Sequence, residues 1–511
     1  MPGRRRLPRA RPRDLGVDAR AIGRFLDAVE QDGPELHSLM VLREGTVVAE
    51  GWWDPYRPDE LHDMFSVTKA FAATAFGLAR DEGLLDLDDL VLDHLGDLAP
   101  AQPDERLRRM RLRHLLTMTS GHPEGVHAGL FELADWDRGA MALPVANEPG
   151  TSFAYSSACT YLLGLAVQRA TGERMLDYLR PRLLEPLGMT GLTWDTSPSG
   201  HDNGGFGLRA TTEDLACLGQ LYLDAGRWDG AQVLPEEWVH EALAQQVPSH
   251  IDGVDWAQGY GFGFWRCRHG AVRADGAFGQ FSVLLPDQRG VVAITSGTAD
   301  LQGVLDLVWE HLLPAFGPPD GAPPAGVRVP AVSSPSAGER EPAVSSPSAD
   351  EMLAARLGAL RLAPPQAGPR APERVPDLST AVLELDEPAA GVAQVRVTQD
   401  ADGVVTALEL RTRAGTRSLA VGHGTWAAGT LPWVDGEEHP VALAGAWTAD
   451  GVHETHVRWV RTPSCLVLRT TVPTGAGATG DDGVRVEPGF TVRFHGPAEL
   501  PTVTGRAVPA G

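Results

Sequence analysis

Lysine is almost missing from this sequence: of its 44 Lys and Arg residues, only Lys69 is a lysine. The guanidinium of arginine keeps its proton at any ordinary pH, whereas an ammonium can be driven to the neutral amine by burial or by a cationic neighbour. Lysine is therefore excluded here as a general surface charge, and position 69 is marked as a place where a proton has to leave. Cysteine is scarce too. Cys159, Cys217, Cys267 and Cys465 lie far apart without a Cys-x-x-Cys pair, which points to reduced, mostly buried thiols. Cations as a whole are outnumbered by 67 acidic residues, and a net charge of −23 argues against nucleic acid or an anionic membrane as partner. The one basic cluster, "MPGRRRLPRARPRD", is expected to be a disordered arm over residues 1–17. No apolar run follows it, so neither a secretory signal nor a transmembrane helix is expected, and a cytoplasmic location follows. The histidines of "GHPEGVH" and "HETH" lack the carboxylate or cysteine set of a zinc site, and His453 and His456 would point to opposite faces of a strand. Neither a metal nor a cofactor is expected.

A length of 511 residues, 43% hydrophobic and 22% charged, fits a soluble protein of two or three domains. "DARAIGRFLDAVEQ" has helical spacing, and "HSLMVLREGTVVAEGWW" reads as a hairpin turning at Glu44-Gly45. A mainly helical middle runs from about residue 66 to 250, with "LRHLLTMTSG" and "ACTYLLGLAVQRATG" each ending at a glycine. Strands return in "GYGFGFWRCR", "GQFSVLLP" and "VVAITSG", ahead of a last amphipathic helix, "DLQGVLDLVWEHLLPAF". The order predicts a sheet built from both ends of this region, with a helical lobe inserted between them. Residues 317–350 shift to Pro, Ala, Ser and Gly and repeat "PAVSSPSA", which predicts a flexible linker. Alternating segments beyond it predict a separate all-β barrel or sandwich over residues 351–511.

Ser66 stands three residues before Lys69 at the start of an apolar, alanine-rich helical pattern, a spacing that puts both side chains on one face. A hydroxyl is a poor nucleophile until a neighbour takes its proton, and a first helical turn adds free N–H groups. Ser66 is the candidate nucleophile and Lys69 its base; the plainer alternative is a helix cap beside a solvated charge. In "EPGTSFAYSSACTYLL", Tyr155 and Ser157 follow a turn. A phenol beside a lysine can share proton transfer, because an ammonium favours the phenolate. The alternative is a half-buried loop aromatic followed by Ser157 as an N-cap. Trp52, Trp53 and Trp256 could line a cleft or pack in a core.

In their order, Ser66-Val67-Thr68-Lys69, "RHLLTMTSG", "PGTSFAYSS" with Tyr155-Ser156-Ser157, and "EPLGMTG" resemble the serine β-lactamase-like hydrolases. That family includes class C β-lactamases, DD-peptidases, family VIII carboxylesterases and nylon-oligomer hydrolases. The resemblance covers about residues 20–315. It implies an α/β (α+β) domain over 18–316, an antiparallel sheet flanked by helices with an all-helical lobe, and a C-terminal all-β, lipocalin-like barrel or sandwich. It also implies an acyl-enzyme mechanism on Ser66, Lys69 and Tyr155.

The family's third motif, Lys-Thr-Gly or His-Thr-Gly, has no direct match in "RHGAVRADGAFGQFSVLLP". One alignment puts it near Ala271 to Arg273; the nylon-oligomer hydrolase branch favours Asp275-Gly276-Ala277. On the second, Ala277 would supply an oxyanion-hole N–H alongside that of Ser66, with Gly276, Asp275 and Ser157 at the substrate, and Gly279 as close approach or bulge. Arg273 and His269 are the cations near enough to replace the missing lysine in holding a carboxylate. The departure argues for an esterase or small-amide hydrolase over a β-lactamase or DD-peptidase. The rivals are acyl transfer, including peptide cyclisation, and a non-catalytic ligand-binding protein centred on the C-terminal domain.

Overall fold

The computed structural model describes residues 7–126, 129–317 and 346–368 and, beyond them, 382–389, 392–400, 404–412, 415–432, 438–449, 451–471, 484–491 and 503–505. The chain divides into two compact units. One comprises Met1–Gly51, Asp63–Ser296 and Asp300–Ala359, the other Trp52–His62, Gly297–Ala299 and Leu360–Gly511.

The first unit is built on a six-stranded antiparallel sheet of β1 (Leu36–Arg43), β2 (Thr46–Trp52), β3 (Trp265–Arg266), β4 (Val272–Gly276), β5 (Gln280–Leu285) and β6 (Gly290–Ser296), in the order β2-β1-β6-β5-β4-β3. Segments from both ends of the hydrolase region thus meet in one sheet. Glu44 and Gly45 have φ of 49° and 72°, the consecutive left-handed pair that a two-residue hairpin demands. All eight residues of β1 are buried, so helices cover both faces and the usual alternation of polar and apolar residues is lost. Arg43 donates to the carbonyl of Phe316 at 2.8 Å on one face. Ser38 accepts from Thr212 at 2.7 Å on the other.

Helix α1 (Ala19–Asp32) precedes the sheet, and α2 (Thr68–Asp81), α3 (Trp136–Met141), α4 (Ser157–Thr171) and α5 (Thr212–Leu223) lie in the chain between β2 and β3. Helix α4 starts where Ser156 Oγ accepts from the N–H of Ala158 and stops at Gly172, whose φ is 72°. The helix expected through "LRHLLTMTSG" covers only Leu112–Leu116, because Met118 already turns left-handed at φ 58°. Short strands at Thr193–Trp194 and Leu208–Ala210 interrupt the helical middle.

Two boundaries differ from the sequence expectation. Residues 1–6 of the basic arm lie outside the described residues, but Leu7 is buried and Arg9 pairs with Glu50 at 2.9 Å and Glu213 at 2.7 Å. Two carboxylates and backbone hydrogen bonds to Val47 thus order a stretch whose composition suggested disorder. Most of the linker, 318–345, lies outside the described residues. Its expected end at 350 falls inside a helix, α6 (Ala349–Leu357), which belongs to the first unit. Ser348 and Glu351 form its capping box, and Arg356 binds Asp27 and Glu30 of α1 at 2.5 and 2.8 Å.

The second unit is all-β. Val382–Ala389, Val392–Gln399, Val405–Thr412 and Gly415–Ala420 form one antiparallel sheet, and six strands from Ala427–Pro432 to Val503–Gly505 form another. Both contribute to a single apolar core that includes Val395, Leu408, Leu443 and Trp459. Trp53 is buried within this unit. Among the described residues no helix is long and apolar enough to cross a membrane.

Candidate active site

Helix α2 is buried along nearly its whole length, from Thr68 to Ala79, so its only lysine enters the core with it. Ser66 does not sit in the first α-helical turn but in the 3-10 turn Phe65–Val67 just before it. Phe65 has φ 45°, a left-handed conformation that a bulky residue holds only when its surroundings enforce it. Its ring meets that of Phe278 edge-on at 5.3 Å.

Lys69 is 1% exposed, and its Nζ lies 2.9 Å from Ser66 Oγ, 3.1 Å from Ser157 Oγ and 2.7 Å from the carbonyl oxygen of Gly205. Burial draws the ammonium down to about 7, although Cys159 and Asp275 oppose the shift. A neutral amine has two N–H bonds and one lone pair. With Gly205 O and Ser157 Oγ as acceptors for the two hydrogens, the lone pair is left for the hydroxyl of Ser66.

Each partner has a local reason for its place. Ser156, not Ser157, caps α4, and this leaves the Ser157 hydroxyl free to face the lysine. Gly205 passes so close to the start of α4 that a Cβ there would lie 2.8 Å from the Ser157 carbonyl oxygen. A backbone carbonyl carries no side-chain signature, so Gly205 was not among the expected site residues. The doubled glycine in "DNGGFG" was the available signal.

Tyr155 lies with its ring 5.0 Å from Lys69 Nζ and 5.3 Å from the ring of Trp265. Burial pushes its phenol upward, and the neighbouring Ser66 hydroxyl only partly offsets this. Burial of the phenol thus works against the phenolate that a neighbouring ammonium would favour.

The Asp275-Gly276-Ala277 triplet ends β4 beside the serine turn, since a Cβ at Gly276 would collide with the carbonyl oxygen of Met64. Gly276 pairs with Gln280 across a tight turn in which Phe278 and Gly279 have φ of 63° and 86°. Gly279 is thus a turn glycine. The side chain of Asp275 is 8% exposed and is held by Arg273 Nη2 at 2.8 Å. Burial raises its carboxyl while Arg273 pulls it down. Arg273 itself is fully buried, with the Asp255 carbonyl at 2.9 Å and the Trp256 ring at 4.4 Å. It is spent inside the protein and is not a free cation for a substrate carboxylate. His269 is exposed on the turn before β4.

All four cysteines are buried thiols outside any disulfide. His453 is buried and His456 half-buried on alternate faces of Val452–Trp459, and among the described residues no group of three or more His, Cys, Asp or Glu is placed to hold a metal ion.

Residues 26–311, more than half of the chain, match the family model Beta-lactamase. The chain belongs to the beta-lactamase family. Among curated relatives, the 6-aminohexanoate-dimer hydrolase of Paenarthrobacter ureafaciens is 28% identical over 260 residues, which cover 45% of this chain and 65% of the relative. Esterase EstB of Burkholderia gladioli is 29% identical over 208 residues, 35% of this chain and 53% of the relative. This beta-lactamase family member thus spans less than two thirds of the length of these relatives. A solved structure from Bacillus anthracis, given provisionally as a 6-aminohexanoate-dimer hydrolase, shares the fold with a TM-score of 0.50 at 20% identity, over 61% of this chain and 87% of that one.

Proposed function

We propose that this protein is a serine hydrolase of ester or small amide bonds that works through an acyl-enzyme on Ser66. The observation that carries the reading is Lys69 Nζ, 2.9 Å from Ser66 Oγ, with both of its hydrogens accepted elsewhere and its proton affinity lowered to about 7. Ser66 Oγ attacks the substrate carbonyl as the lone pair of Lys69 takes its proton. The N–H groups of Ser66 and of Ala277, at the end of β4, hold the oxyanion. Tyr155, still a phenol, gives its proton to the leaving group and is reprotonated from Lys69. Water then attacks the acyl-enzyme by the same route, and no cofactor takes part. Ser157 and Gly205 orient the amine, while the buried Arg273 is taken up by Asp275 instead of being held out for a β-lactam carboxylate. Esters and small amides without that carboxylate are the substrates this favours. The esterase and the 6-aminohexanoate-dimer hydrolase among the relatives support the same class.

The test compares wild type, Ser66→Ala and Lys69→Arg on a short-chain p-nitrophenyl ester and, by intact-protein mass spectrometry, on a fluorophosphonate probe. Wild type is expected to turn over and to carry one adduct. Both variants should lose at least about a thousandfold in turnover, arginine because it does not give up its proton. An unlabelled, inactive wild type, or variants that match it, would refute the hydrolase reading. Adding an amine or alcohol acceptor and analysing products separates hydrolysis from acyl transfer.

A further inference from the structure

In the mechanism above, Ser66 and Ala277 each aim one N–H at the oxyanion from a different segment. Ala277 lies in the turn between β4 and β5, where its N–H has no acceptor among the described residues. The carbonyls of that turn are all taken. Gly276 O accepts from the N–H of Gly279 at 3.2 Å, and Ala277 O accepts from Gln280 Nε2 at 3.1 Å. Ser296 Oγ, at the end of β6, lies 2.6 Å from Phe278 O and 2.9 Å from Gly279 O and donates its one hydrogen to that pair. Gln280 also donates to Ser296 O at 2.8 Å and accepts from the Ser296 N–H at 3.2 Å, so its amide uses both hydrogens and its oxygen. Gln280 and Ser296 are fully buried.

This clamp begins where the backbone ladder stops. The register of β5 on β6 ends at Phe281 opposite Ile294, and the Gln280 side chain reaches past it to the peptide groups of Ser296. The turn it holds is strained, because Phe278 keeps φ 63°, a left-handed conformation that a bulky residue adopts only under constraint. The same turn lies against that of the proposed nucleophile. Gly276 admits the carbonyl of Met64, and the ring of Phe278, next to Ala277, meets the ring of Phe65, next to Ser66, at 5.3 Å. The Ala277 N–H shares its peptide plane with Gly276 O, and the next plane carries Ala277 O. With both oxygens bonded, neither plane can rotate without giving up a hydrogen bond.

We propose that Gln280 and Ser296 are positioning residues that aim the Ala277 N–H at the oxyanion. The inference rests on the hydrolase reading above and adds the device that holds one of its two donors. Neither side chain is among the hydrogen-bond partners of Lys69, so they act on the oxyanion hole and not on the base.

The experiment measures kcat, KM and the pH profile of the full chain on p-nitrophenyl acetate for wild type, Ser296→Ala and Gln280→Met. Alanine removes only the hydroxyl, and methionine keeps the length of glutamine without its amide. Each variant is expected to lose about thirtyfold in kcat, with KM within about twofold of wild type. The acid limb at about pH 7, which belongs to Lys69, should stay where it is. Binding of butylboronic acid, whose adduct with a serine puts an oxygen in the same hole, should weaken in step with kcat. The two variants lie on different strands, so a folding failure in one leaves the other to decide. A folded variant with wild-type kcat and boronate affinity overturns the inference, as does a loss that displaces the acid limb or falls mainly on KM. A merely structural role would lower the melting temperature and leave kcat per folded molecule unchanged. Turnover in wild type with unaltered variants overturns only the clamp, whereas a wild type that neither turns over nor takes up a fluorophosphonate refutes the hydrolase reading and this inference with it.

Discussion

Lys69 was legible in the sequence because composition isolates it, and its three-residue offset from Ser66 is a property of the sequence alone. What composition could not supply is the state of the amine, which depends on burial by the surrounding fold. Burial lowers the ammonium from its usual 10.5 to about 7. A base acts only when unprotonated, so kcat/KM for a p-nitrophenyl ester should rise as pH climbs through about 7 and level off above it; a flat acid limb would remove Lys69 from the role of base. The same shift has a signature in stability. Between pH 7 and 10.5 the unfolded chain holds the proton that the folded one has released, so the lysine's contribution is fully present above 10.5 and is lost as pH falls toward 7. Measured by denaturant unfolding from pH 7 to 9, wild type should gain on Lys69→Met by up to about 1.4 kcal/mol per pH unit. Parallel curves would mean that the amine is not desolvated. Gly205 and the upward shift of the Tyr155 phenol were beyond sequence reasoning for a common reason: one depends on its backbone and the other on its surroundings.

At the scale of elements, the hairpin, a sheet built from both ends of the hydrolase region and the glycine that ends α4 followed from turn residues and periodicity. Those signals are local, and the fold obeys them. The third family motif was less legible because its side chains differ from the family pattern, leaving two placements of the triplet. Packing supports the second: Gly276 is the position whose missing Cβ lets β4 reach Met64, two residues before the proposed nucleophile. Gly276→Ala should therefore push the Phe65–Val67 turn away from the strand. The expected cost is about 2 kcal/mol of stability, from overpacking, and about a hundredfold in kcat/KM, from misplacing the nucleophile. Thermal unfolding and ester kinetics check the two together. A variant with wild-type activity would place the oxyanion partner elsewhere and reopen the alternative of Ala271 to Arg273.

For the whole molecule, composition marked the Pro, Ala and Ser segment and the all-β character of the region C-terminal to it. It misplaced the junction, since helix α6 begins just after that segment but finds its partner in α1, more than three hundred residues earlier in the chain. A pairing at that separation leaves no local trace. The consequence can be measured in the first unit itself. Leu353 and Leu357 of α6 are 5% and 7% exposed, and truncating either to alanine should cost about 2 kcal/mol. Because α6 groups with the first unit, the loss should lower the midpoint for thermal inactivation of the proposed hydrolase activity by several degrees in the full chain. If α6 instead belonged to the all-β unit, these substitutions would shift only that unit's unfolding and leave the inactivation midpoint where it is in wild type.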